Sequence, residues 1–142
     1  MYRITAIALA LLSCPVATEA APIYLKCELP SLKMEMNVTL SEDVQTVTLL
    51  LPKENLASTV PGVFTADNVR FHDFKITGSP VDYSIDRTNL DLRISGTRAD
   101  AAERIAQMTI EGADMATIQK ASAAAQFVEH GSCAIVKVKR AF

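Results

Sequence analysis

The sequence predicts an α+β domain that is mainly antiparallel β, a sheet, sandwich or barrel-like fold with one or two helices near residues 100–126. Three observations carry that expectation. Most of the chain between residues 33 and 94 alternates apolar and polar side chains with period two, which gives a strand one dry and one wet face. From Thr97 to Gln126 the chain turns alanine-rich and loses its aromatic residues. A cysteine also lies in each of two strand-like segments, "IYLKCEL" and "CAIVKVK", at opposite ends of the domain.

The elements follow in order. In "KMEMNVTL" Met34, Met36, Val38 and Leu40 alternate with Lys33, Glu35, Asn37 and Thr39, and Val47, Leu49 and Leu51 resume the pattern after the polar Ser41-Glu42-Asp43, so residues 33–51 read as a hairpin. Pro52 ends it. Residues 52–67 lack a clear period, and Pro61-Gly62 marks a turn, so a long irregular connection is expected. "VRFHDFKITG", "VDYSIDRTN" and "LDLRIS" alternate again. Arg87-Thr88-Asn89 forms the tight connection between the last two, with Asn89 suited to a left-handed backbone and Asp86-Arg87 read as a local ion pair. Six or seven strands result.

In the alanine-rich segment, Asp100 and Glu103 have capping-box spacing, and a helix from about Asp100 to Thr109, stopped by Gly112, fits the positions of Ala101, Ile105 and Met108. A second helix runs from Asp114 through Ala125, with a strand over "QMTIE" as the alternative. Lys137 and Lys139 alternate with valines and read as the wet face of the last strand.

The first twenty residues read as an export signal. Arg3 supplies the positive start, Ile4 to Leu12 is an apolar run too short to span a bilayer, and Thr18 and Ala20 set small residues at a cleavage site after Ala20. Residues 1–20 are thus a signal peptide and 21–142 one domain, periplasmic or secreted. The alternative is a lipobox at Leu11-Leu12-Ser13-Cys14, with Cys14 lipidated and the protein an outer-membrane lipoprotein, which is the only membrane contact expected. Either way Cys27 and Cys133 remain as the thiols of an exported chain, and an oxidising compartment favours their pairing as a disulfide over a catalytic or metal-binding role.

A net charge of −2 and the absence of a basic stripe exclude recruitment of nucleic acid. No HExxH or paired CxxC spacing occurs, so no metal or other cofactor is expected. His72, His130, Asp73 and Ser132 are the candidate catalytic residues, but His72 and Asp73 are strand neighbours that point to opposite faces, and His130-Gly131-Ser132-Cys133 reads as a turn.

Tyr24 and Cys27 after an export signal, "YSIDRTNLDL" on a central hairpin, and "HGSC" before one closing strand resemble small exported β-rich proteins of unknown function from Gram-negative bacteria. That resemblance implies an envelope location and a β fold, with no catalytic residues to carry over. The chain is also loosely similar to the small envelope lysozyme inhibitors, though their serine- and lysine-bearing loops are not recognisable and the alanine-rich insertion has no counterpart. The expected function is a cell-envelope binding or structural module whose partner is an envelope protein or glycan. The alternatives are a small envelope hydrolase using His72 or His130, or an inhibitor of a secreted enzyme.

Overall fold

The chain closes eight antiparallel strands into a barrel. The computed structural model describes residues 19–137. The strands are β1 (Ile23–Leu29), β2 (Met34–Ser41), β3 (Thr46–Leu51), β4 (Leu56–Phe64), β5 (Asn68–Asp73), β6 (Val81–Asp86), β7 (Asp91–Thr97) and β8 (Gln126–Ile135). Each pairs with the next, and β8 returns to β1, so no edge is left open. A 3-10 turn at Pro30–Leu32 joins β1 to β2, and a helical hairpin of α1 (Ala99–Ile110) and α2 (Met115–Ala125) is inserted between β7 and β8.

Period two decides which side chains fill the barrel. Leu25, Cys27 and Leu29 of β1, Met36, Val38 and Leu40 of β2, and Val47, Leu49 and Leu51 of β3 are buried, while the residues between them face out. Val69, Phe71, Val81, Tyr83, Ile85, Leu92 and Ile94 complete the core from the other half. An eight-stranded barrel has just enough interior for such side chains to pack. Its apolar side faces in and its polar side out, the reverse of a membrane-spanning barrel. Among the described residues no helix is long and apolar enough to cross a membrane. The signal peptide and Cys14 expected at residues 1–20 fall almost wholly outside the described residues.

The expected irregular stretch at 52–67 is instead largely the strand β4, and both residues read as a turn have strand roles. The N–H of Gly62 donates to the Gln45 carbonyl on the β3 side, so the nitrogen of Pro61 points the other way, where the ladder to β5 has not yet begun at Gly62↔Phe71. A missing N–H costs nothing there. At Gly62 a Cβ would lie 2.8 Å from Val47 Cγ2 and 2.9 Å from Phe64 Cε2, so this inward position admits only glycine without repacking.

The last strand also starts earlier than expected. "HGSC" lies within β8, not in a turn, and its Gly131 answers close packing: a Cβ there would sit 2.3 Å from the Glu28 carbonyl oxygen. Lys137 lies beyond the end of β8 at Ile135, and Lys139 and Arg140 are outside the described residues.

Two local expectations change in the β6–β7 connection. Leu90 (φ 62°) adopts the left-handed backbone in place of Asn89, which accepts from the Asp91 N–H through its side-chain carbonyl at 2.9 Å. Asp86 does not pair with Arg87 but accepts from the Thr88 and Asn89 N–H groups. Arg87 reaches across the barrel end to Glu42, with Nη2 2.9 Å from Oε2, and to the Thr65 carbonyl at 2.7 Å. This pair holds Glu42 below the usual carboxylate range, mainly through the guanidinium hydrogen bond.

Both helices form near the expected positions, and the strand over "QMTIE" does not. Arg98, not Asp100, is the N-cap residue of α1, and Asp100 sits in the first turn, where its charge suits the helix dipole. Asp114 caps α2, accepting from the Thr117 N–H at 2.7 Å. Gly112 takes φ 79° between them. The two helices pack chiefly on each other, and only Ala125 at the end of α2 is buried.

Candidate functional site

The outer wall of β5 to β8 gathers most of the chemistry-bearing side chains. Inward residues of these strands build the core, so the residues of opposite parity must share the outer face. Register sets them in rows: Val63, Arg70, Ser84, Arg93 and His130 are successive cross-strand partners from β4 to β8. A second row, one step along, is His72, Asp82, Ser95 and Val128. An open groove of about 590 Å³ runs over the β5 to β7 part of both rows, with Pro61 and Val63 as an apolar shoulder on the β4 side.

The groove is cationic. Arg70 and Arg93 are both exposed, and among the described residues neither is paired with a carboxylate. Ser84 stands between them on β6, one strand from each, so the two arginine backbones are about 10 Å apart by strand spacing. His72 is engaged, its Nδ1 lying 2.8 Å from Asp82 Oδ1. That contact leaves Nε2 of His72 on the far side of the ring from Asp82.

The catalytic candidates fall in different places. His72 and His130 both face outward but stand three strands apart, roughly 14 Å, so they do not share a site. Asp73 points inward, as parity requires, and is 1% exposed. Its two oxygens accept from Ser58 Oγ at 2.5 Å and the Ile76 N–H at 2.8 Å, so it fastens the segment after β5 to β4. Ser132 is opposite Asp91 and Glu28, away from His72. The His72–Asp82 pair has the form of an oriented base, and Ser84 lies two residues from Asp82 on the same face. Backbone N–H groups along this wall are committed to the ladders, however, so a developing oxyanion would find no main-chain donors there. Among the described residues no three His, Cys, Asp or Glu side chains form a metal-ligand set.

Below the wall, Tyr83 stacks on Phe71 with ring centroids 4.8 Å apart. Its hydroxyl is buried and, among the described residues, has no hydrogen-bond partner. Burial first, and the charge of Asp73 second, push its pKa well above the usual phenol value. Cys27 and Cys133, predicted to pair, form a disulfide at the seam of the barrel. They are directly opposed in the β1–β8 ladder, with Cα atoms 4.0 Å apart, closer than the usual ~4.4–6.8 Å range of disulfides.

Nothing in the sequence alone singles out Arg70, Ser84 and Arg93. Each sits at an outward parity in its own strand, but only strand order and register reveal that they form one row. Comparison of the chain with protein-family models, with curated proteins and with solved structures gives no match.

Proposed function

We propose that this protein is an exported binding module of the cell envelope, released by cleavage of a signal peptide at residues 1–20, and that the outer wall of β5 to β8 is its binding face for an anionic envelope glycan. Membership among small exported β-rich proteins of Gram-negative bacteria belongs to the same reading. The observation that carries it is the pair Arg70 and Arg93 flanking Ser84, which concentrates positive charge over an open groove on a chain of net charge −2. The Cys27–Cys133 disulfide supports an oxidising destination.

The test is retention on envelope material in the native host. Tagged wild-type protein is expected in the periplasmic or secreted fraction and on purified anionic envelope glycan, with retention lost at high salt and in Arg70→Glu/Arg93→Glu. Equal retention of that variant, or retention only on envelope proteins, overturns the glycan reading. Recovery in the detergent phase that disappears in Cys14→Ser supports a lipoprotein in place of a released one. A hydrolase reading draws on the His72–Asp82 pair alone. It requires turnover of an ester, peptide or glycan substrate that His72→Ala abolishes.

A further inference from the structure

We infer that Arg70, Ser84 and Arg93 form a clamp for a single phosphomonoester group, an inference that rests on the binding face proposed above and narrows what it takes. The three residues are consecutive cross-strand partners on β5, β6 and β7, all on the outer face. Each arginine therefore has to lean across only one strand, about 4.8 Å, to bring its guanidinium over the serine hydroxyl. The barrel wall beneath is rigid, since Phe71, Tyr83, Ile85, Leu92 and Ile94 on the same strands are core residues.

Two guanidinium forks and one hydroxyl around one point select among anions. A carboxylate offers one charge and two oxygens, so one fork satisfies it and the second stays unmatched. A phosphomonoester carries a charge of −1.5 to −2 near neutrality and three terminal oxygens, which matches two cations and a hydroxyl donor. Among the described residues neither arginine has a carboxylate competitor: Asp82 is engaged by His72, Asp86 by the Thr88 and Asn89 N–H groups, and Asp91 by the Asn89 side chain. The apolar shoulder of Pro61 and Val63 flanks the clamp and would meet the uncharged body that bears the phosphate. The same chemistry is offered by free phosphate and by the phosphate of an envelope glycolipid.

The experiment is titration of the full exported protein, followed through the arginine Nε–H resonances, with three probes: inorganic phosphate, phosphatidylcholine vesicles containing phosphatidic acid, and acetate. The expected result is a saturable shift of the Arg70 and Arg93 signals with phosphate-bearing probes and none with acetate. Arg70→Gln and Arg93→Gln are each expected to weaken binding roughly tenfold or more, and Ser84→Ala severalfold. Lys120→Gln on α2 removes the same charge elsewhere and should leave affinity unchanged. Vesicles binding far more tightly than phosphate identify a lipid-borne group, and the reverse identifies the free ion. Acetate binding as tightly as phosphate, an equal loss in Lys120→Gln, or the absence of localised shifts overturns the clamp. Retention on envelope glycan is measured separately, so a glycan-binding protein that ignores all three probes refutes the clamp while leaving the binding face intact.

Discussion

Ser58 Oγ donates to Asp73 Oδ1 beyond the last β4–β5 ladder pair, Gly62↔Phe71, so a side-chain bond continues the seam where the backbone ladder stops. Both groups are buried. Asp73→Ala would leave the Ser58 hydroxyl and the Ile76 N–H without their acceptor, and is expected to cost about 3 kcal/mol by chemical denaturation. Asp73→Asn keeps one carbonyl acceptor and should cost less. Equal stability of the alanine variant and wild type would mean that the seam does not depend on this carboxylate.

Tyr83 sets an alkaline limit. Its folded pKa is raised by burial and by Asp73, so the unfolded chain loses the phenolic proton first as pH climbs past 10.0. Its contribution is fully present below that value and is lost as pH rises towards the folded pKa, so stability falls with increasing pH in that range. Tyr83→Phe should flatten this fall. Because the hydroxyl has no partner among the described residues, the substitution should be neutral or stabilising at pH 7. Denaturant midpoints at pH 7 and above pH 10 for both proteins measure the effect, and an unchanged alkaline slope in Tyr83→Phe would contradict it.

The disulfide closes a loop of sequence separation 106. Chain-entropy arithmetic gives up to about 4.7 kcal/mol for a loop near that size. Cys27→Ser/Cys133→Ser should accordingly melt well below the oxidised wild type, and a reducing agent should bring the wild type down to the variant. Binding by the folded fraction should persist, because the bridge lies inside the barrel and away from the Arg70–Arg93 row. A melting temperature indifferent to reduction would show that the β1–β8 ladder closes the barrel unaided.

Gly131 gives a second test of that seam. An added methyl at 2.3 Å from a backbone oxygen cannot be relieved by a rotamer change, so Gly131→Ala must push β1 and β8 apart. The expected cost is roughly 1–3 kcal/mol. Hydrogen exchange should locate the damage at Glu28 and its neighbours. Protection there equal to wild type would place the strands further apart than described.

Six or seven strands are legible, though the last is misplaced, because a half-buried strand writes its two faces directly into alternate residues, as in Met36 and Val38 against Glu35 and Asn37. β4 was hidden because Pro61 and Gly62 usually punctuate turns, and here each satisfies a constraint set by a neighbouring strand. The same reason hid the true role of Gly131. Cys27 and Cys133 were matched by elimination, which needs no geometry. The Arg70, Ser84 and Arg93 row spans three strands, and registry between strands is a property of turns and packing that no single segment records. Sequence proximity pairs Arg87 with Asp86, whereas its partner Glu42 lies 45 residues away.

The bridge between the first and last strands also decides how the molecule would respond to force. A pull applied to the chain on either side of the barrel, ahead of Ile23 and beyond Ile135, reaches the cysteines after only a few residues. From there the load passes through the sulfur–sulfur bond from Cys27 to Cys133 and bypasses everything between them. Tension would peel short end segments of β1 and β8 and then meet a covalent stop, leaving β2 to β7 and the arginine row slack. A tethered copy could therefore be dragged by whatever holds its ends without its outer wall being deformed, and single-molecule pulling should show a long unfolding extension only after reduction.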